Sequence, residues 1–193
     1  MAQRLQQVMD RIDALNAADP NTDTVNGVVR PRELVYAERL TAWVLRLNPK
    51  ASEALRIAAR GQHVRRWTMP RSQYPMNRQG YLKWRETLKA FHAETVAQVM
   101  HEAGYEDAQI SRVRSLMSKR ELGRDADTQT LEDALCLVFL ETQFAELRAK
   151  TADEKMLDVL RKTWKKMSEA ARAEALRLPL SEAERRLLKR ALS

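Results

Sequence analysis

The chain has 193 residues, with 34 Lys and Arg against 26 Asp and Glu, a net charge of +8, one Cys and five Gly. The single Cys excludes an internal disulfide framework and any multi-thiolate metal site, and no stretch approaches the roughly 18 apolar residues that a membrane span requires. An apolar share of 44% beside 31% charged residues excludes wholesale disorder and fits a protein with a real core.

Scarce Gly with abundant Ala, Leu, Arg, Lys and Glu favours helix. Leu5, Val8, Met9, Ile12 and Leu15 recur at helical spacing and predict a first amphipathic helix. Asp19-Pro20-Asn21 ends it, and Asn26-Gly27 marks a turn. A second helix is expected from Pro31 to Leu47, with Leu34, Ala37, Leu40, Thr41, Val44 and Leu45 inward, because Pro suits a first helical residue. Asn48-Pro49 reads as cap and first residue of a third helix carrying Ala54, Leu55, Ala58 and Ala59.

From 65 to 77 two prolines and two aromatics break the period, which predicts a basic surface loop. Asn77 then caps a long helix ending near Gly104, a residue free to adopt the positive φ of a C-terminal cap. A shorter helix from about Asp107 to Leu122 follows. The segment after Thr130 is apolar on most faces and is expected to be the most buried helix, with Cys136 as a small core residue. Capping boxes are read at Thr151 with Glu154 and at Ser181 with Glu184. No strand of four or more alternating residues stands out. The expected fold class is all-α, a single globular domain of about eight helices over residues 1–193.

Charge is concentrated. Between Arg60 and Ala90, eight basic residues face one acid, Glu86, so this stretch holds nearly the whole excess. Trp67, Tyr74, Tyr81 and Trp84 lie among those charges. Forked guanidinium donors beside aromatic faces suit phosphates and planar rings. Arg65, Arg66, Trp67, Arg71 and Arg78 are therefore the candidate substrate-binding residues, and Tyr81 and Trp84 are expected to pack. The ligand class this implies is a phosphate-containing small molecule or nucleotide, with nucleic acid as a further partner class. No membrane partner is expected.

No zinc, calcium or phosphate-loop motif is present. A metal site would have to be assembled from separate helices, and the candidate ligands are Glu38, His63, His92 and Asp133. Each also has a plain structural reading, as a hydrogen-bonded packing histidine or a dipole-favouring acid in a first helical turn. Phe91, Thr95 and Val99 are placed on the core face of the long helix, with His92 at its edge. His101 is expected to be solvated near the helix end. The amphipathic polar start and the lone thiol give cytoplasmic as the expected location.

Several segments together resemble one family: "IDALNAADPN" (12–21), "ELVYAERLTAWV" (33–44), "ALRIAARGQHVRRWTMPRSQYPMNRQGYLKWR" (54–85) and "QTLEDALCLVFLE" (129–141). It is the domain-of-unknown-function family 4202, whose membership implies little about activity. More distantly, the order and texture of the helices resemble the HD-domain phosphohydrolases, which hold a metal through a His, a His-Asp pair and a later Asp. That resemblance implies an HD-like core and a divalent Mn, Fe or Zn. It aligns Tyr36 or Glu38 with the first His, Gln62-His63 with the pair, Asp133 with the later Asp and His92 with an auxiliary His. Gln is a poor metal ligand. Either the site is rebuilt around Glu38, His63, His92 and Asp133, or the fold is kept without the metal.

Three readings follow. The first is a metal-dependent phosphohydrolase in which the metal polarises a phosphoryl oxygen, the arginines clamp phosphate and Glu94 carries a proton. The second is a non-catalytic module binding an anion, nucleotide or nucleic acid. The third is a helical interaction protein docking through its C-terminal helices.

Overall fold

The computed structural model describes residues 2–192, with ten α-helices among them and one two-stranded hairpin. In α1 (Ala2–Ala17), Leu5, Val8, Met9 and Ile12 are buried, as their spacing predicts. The chain then forms β1 (Thr22–Val25) and β2 (Val28–Pro31), antiparallel with Thr22 opposite Pro31 and Val25 opposite Val28. This hairpin corrects the strand-free expectation. Asn26 and Gly27 both take positive φ, 51° and 78°, the requirement of the two-residue turn that matches strand twist.

Helix α2 (Arg32–Leu47) buries Val35, Ala37, Leu40, Thr41, Trp43 and Val44, while the inward-assigned Leu34 and Leu45 are half-buried. Helix α3 (Glu53–Gly61) starts later than Asn48-Pro49 suggests. The Ser52 hydroxyl accepts the Leu55 N–H at 3.1 Å and caps it, whereas Asn48 turns back onto the Lys50 N–H at 3.1 Å.

The loop after α3 contains two short 3-10 turns, Arg66–Thr68 and Arg71–Gln73. Helix α4 (Arg78–Glu102) is capped by Asn77, which accepts the Gly80 N–H at 2.8 Å, and it ends before Gly104 at φ 77°, both as expected. Helix α5 (Asp107–Ser118) stops short of Leu122, because Lys119 turns left-handed at φ 56°. Helix α6 (Ala126–Thr142) begins a turn before Thr130, capped by Asp125, which accepts the Thr128 N–H at 2.7 Å.

Helices α7 (Phe144–Ala149), α8 (Asp153–Lys166), α9 (Glu169–Arg177) and α10 (Glu182–Leu192) complete the chain. The capping box read at Thr151 and Glu154 does not form, since Ala152 precedes α8 with no side-chain cap. The one at Ser181 and Glu184 does, with the Glu184 carboxylate accepting the Ser181 N–H at 2.7 Å.

Helix α6 packs on α2, α3, α8 and α9, and Leu131, Ala134, Leu137, Val138 and Leu140 are buried on it. Burying one such Leu contributes about 2 kcal/mol, which makes α6 the frame on which the other helices are set. Helices α3 and α4 approach closely at Gly61, where an added Cβ would meet the Val96 Cγ2 at 2.2 Å. That approach brings the end of α3 against the middle of α4. No helix of the described residues is long and apolar enough to cross a membrane.

Candidate functional site

The end of α3 is pinned from three directions. Val64 is fully buried, its carbonyl oxygen accepts a hydrogen bond from His92 Nδ1 at 2.8 Å, and the Arg65 N–H donates to Asn16 Oδ1 at 3.1 Å. Arg65 is held in left-handed backbone at φ 54°, which costs a non-glycine residue of order 1 kcal/mol. This turn places His63 and Arg66 in the walls of two adjoining clefts while Arg65 itself points to solvent.

The smaller cleft, about 230 Å³, lies between α3, α4, the end of α5, α6 and the end of α8. Arg66, Arg85, Lys89, Lys119 and Lys166 line it against one carboxylate, Glu132. Glu132 is 3% exposed and pairs with Lys119 at 2.6 Å and Lys166 at 3.2 Å. Burial works against its charge, yet the two ammonium groups outweigh burial and hold the carboxylate below its ordinary range. Burial likewise pulls the Lys119 ammonium down, opposed by Glu132.

His92 also lines this cleft and is 4% exposed, which corrects its expected edge position; Phe91 and Thr95 are the half-buried ones. A carbonyl can only accept, so His92 carries its hydrogen on Nδ1 toward Val64, and Nε2 is left a buried acceptor without a partner. Burial, then His63 and Arg66, draw its pKa down to about 3.

The larger cleft, about 740 Å³, opens on the other side of His63 and Arg66, among α2, α6, α7 and the hairpin. Here the His63 ring stacks on Tyr36, centroids 4.0 Å apart and 8° from parallel, and its Nδ1 lies 3.3 Å from Glu33 Oε2. Glu33 sits in the first turn of α2, its N–H donating to the buried Asp19 carboxylate at 3.0 Å. Burial pushes its carboxyl up to about 7, with Arg66 pulling down and Asp19 pushing up. His63 is held well below its ordinary range by burial and then by Arg66, Arg85 and Lys119. Both members of the pair are thus biased toward their uncharged forms.

The expected ligand set does not assemble. His63 and His92 are neighbours, with ring centroids 5.9 Å apart. Glu38 is instead held by Arg30 through two hydrogen bonds of 2.8 and 2.7 Å. Asp133 accepts from Gln129 at 2.9 Å and from the Ser168 N–H at 2.8 Å, which ties α6 to the start of α9. Among the described residues no group of three or more His, Cys, Asp or Glu side chains is placed to hold a metal ion. Glu94, assigned as proton carrier, is exposed and pairs with Arg114 at 2.6 Å.

The anion-binding candidates divide. Arg66 belongs to both clefts, its guanidinium 4.9 Å above the Trp84 ring and 3.9 Å from Glu33. Arg71 is consumed within the loop, donating to the Tyr74, Pro75 and Asn77 carbonyls at 2.9, 2.6 and 3.2 Å. Arg65 and Arg78 are exposed, Trp67 is half-buried, and none of the three lines either cleft. Trp84 packs as expected, its Nε1 donating to the Met69 carbonyl at 2.9 Å, but Tyr81 is 44% exposed.

Sequence reasoning missed Glu33, Lys119, Glu132 and Lys166. A signal did exist for part of the cleft: Arg85, Lys89 and His92 stand at i, i+4 and i+7 on α4 and share one face. The lone thiol is core, as expected, with burial pushing Cys136 up to about 12.

Comparison with known proteins matches neither a curated protein nor a solved structure. The model of the family described as a domain of unknown function, DUF4202, matches residues 6–188. That match takes in both clefts and every helix that lines them, and the chain belongs to the DUF4202 family.

Proposed function

We propose that the chain binds a phosphate-bearing small molecule, with the phosphate in the smaller cleft and the remainder of the ligand reaching the larger one. The observation that carries this reading is the meeting of five cationic side chains around a buried imidazole in one small concavity. At about 230 Å³ the cleft is smaller than a typical drug-sized site and suits a compact anion. Cations held in a partly desolvated wall attract an anion more strongly than the same charges on an open surface. His63 and Arg66, common to both clefts, stand where the phosphate would join its substituent.

The test is a thermal-shift panel of phosphomonoesters, nucleotides and pyrophosphate. At a concentration 100 times its Kd a true ligand stabilises the fold by about 2.7 kcal/mol. At least one compound should raise the Tm, the effect should shrink as salt rises, and Arg85→Ala should reduce it. A panel with no shift contradicts the reading.

A second reading, phosphate-ester cleavage, is favoured by the Glu33–His63 contact. A buried carboxyl near pH 7 beside an imidazole is a pair able to hold and pass a proton at neutral pH. Hydrolysis of p-nitrophenyl phosphate, assayed with and without Mn²⁺, should fall at least about tenfold in Glu33→Gln if the pair acts. Absence of turnover in both conditions removes this reading and leaves binding.

A further inference from the structure

The inference rests on the basic cleft proposed above and concerns which anion that cleft accepts. The 2.8 Å contact with the Val64 carbonyl fixes the His92 hydrogen on Nδ1, so Nε2 offers a lone pair. Nε2 is buried and meets no donor within the chain. The charged and titratable groups that line the cleft with His92 are His63 and Arg66 from the loop after α3, and Arg85 and Lys89 from its own helix. Lys119 from the end of α5, Glu132 from α6 and Lys166 from α8 complete the surroundings. The five cations draw an oxyanion in, and the imidazole then faces it with an acceptor.

We infer that the cleft selects an oxyanion bearing its own hydrogen, hydrogenphosphate over sulfate and a phosphate monoester as its monoanion, because His92 Nε2 can be satisfied only by a donor that the ligand supplies. Sulfate brings lone pairs alone. It would leave Nε2 unpaired beside its own oxygens, and a site built for one hydrogen bond rejects the analogue that lacks it. Protonating His92 instead is resisted by burial, by His63 and by Arg66, which together hold its pKa near 3. At neutral pH the ring therefore remains an acceptor.

Hydrogenphosphate and sulfate are both doubly charged tetrahedra at pH 7.5, so comparing them isolates the hydrogen. In calorimetric titrations of the full chain at matched ionic strength, phosphate should bind about 30-fold tighter than sulfate, or more. His92→Gln, whose amide can donate to either anion, should shrink that gap to about threefold or less. Arg85→Ala should weaken both anions alike and leave their ratio unchanged. Equal wild-type affinities would overturn the selection while leaving the basic cleft as an anion site. Binding of neither anion would overturn both. Should His92→Gln fail to fold, the wild type still decides: glycerol phosphate, mostly a hydrogen-free dianion at pH 7.5, should bind with uptake of a proton, seen as a dependence on buffer ionisation heat, whereas sulfate binding should take up none. Glycerol phosphate binding without proton uptake would overturn the inference.

Discussion

The two clefts share His63 and Arg66 but differ in how their charges are met. In the larger one the acids have local partners: Asp23 accepts from Arg32 at 2.9 Å, Glu146 pairs with Lys150 at 2.6 Å, and Glu141 accepts the Trp43 Nε1–H at 2.9 Å. In the smaller one a single carboxylate answers five cations, and Arg85 and Lys89 close no ion pair among the described residues. The lesson is that the number of basic residues in a segment matters less than their pairing. Arg71 and Arg66 lie five positions apart in one loop, yet Arg71 is spent on three carbonyls and Arg66 faces both clefts.

The comparison depends first on the wall between the clefts, which the α3–α4 approach at Gly61 sets. Gly61→Ala should destabilise the fold by about 2–3 kcal/mol in denaturant titrations, since the new Cβ must displace the Val96 side chain. It should also weaken phosphate binding, by moving His63 away from His92. An unchanged unfolding midpoint would show that the wall is not set there.

Acid should break the smaller cleft next. His92 has a folded pKa near 3 against about 6.5 unfolded, so between those values the unfolded chain binds the extra proton. The stability His92 contributes is complete above pH 6.5 and is lost as pH falls, by about 2 kcal/mol at pH 5. His63, shifted the same way, adds to the loss. Glu33 has the opposite sign. Its folded pKa near 7 exceeds its unfolded value, so the folded chain binds the extra proton and stability rises as pH falls from 7 toward 4.5. Glu33→Gln removes that offset, and its stability should fall more steeply than wild type between pH 7 and 5. Parallel curves for the two proteins would contradict the burial-driven shift at Glu33.

The anion response sharpens the contrast further. Arg85→Ala should weaken phosphate binding about tenfold, or about 1.4 kcal/mol. Arg32→Ala, in the larger cleft and already paired with Asp23, should leave it within about twofold. Equal effects in calorimetry would erase the distinction between the clefts. The smallest effect belongs to Glu94→Gln, which breaks only an exposed pair with Arg114 and should change stability by less than about 0.5 kcal/mol. A larger loss would return Glu94 to consideration.

Helical periodicity made most of the frame legible, because α1 buries Leu5, Val8, Met9 and Ile12 and α2 buries Ala37, Leu40, Thr41 and Val44, although on α4 the core face was set too near Phe91 and Thr95 and away from His92. The hairpin was illegible as alternation, its strands being four residues each with one face barely covered; Asn26-Gly27 was its sole clear trace. The basic segment identified part of the cleft, through Arg66, Arg85 and Lys89, while His92 was singled out only as a metal-ligand candidate. The failures at the site are angular. Glu33 and Tyr36 share a face of α2, while Glu38, five residues beyond Glu33 at about 100° per residue, is turned well away from it. Glu132 faces the cleft and its neighbour Asp133, about 100° on, is turned to the Ser168 N–H. Residue type alone cannot choose between adjacent acids when the partner helix is unknown. Lys119 and Lys166 read as ordinary basic residues at helix ends, and tertiary packing alone brings them together on Glu132.

The central claim is that phosphate enters between His92 and the surrounding cations. Its most direct measurement is the long-range ¹H–¹⁵N spectrum of the three imidazoles during a phosphate titration at pH 7.5. The His92 Nε2 resonance should shift saturably from that of an unpartnered acceptor to that of one receiving a hydrogen bond, with His63 following and the exposed His101 unmoved. An unperturbed His92 at saturating phosphate would place the anion elsewhere and contradict the account.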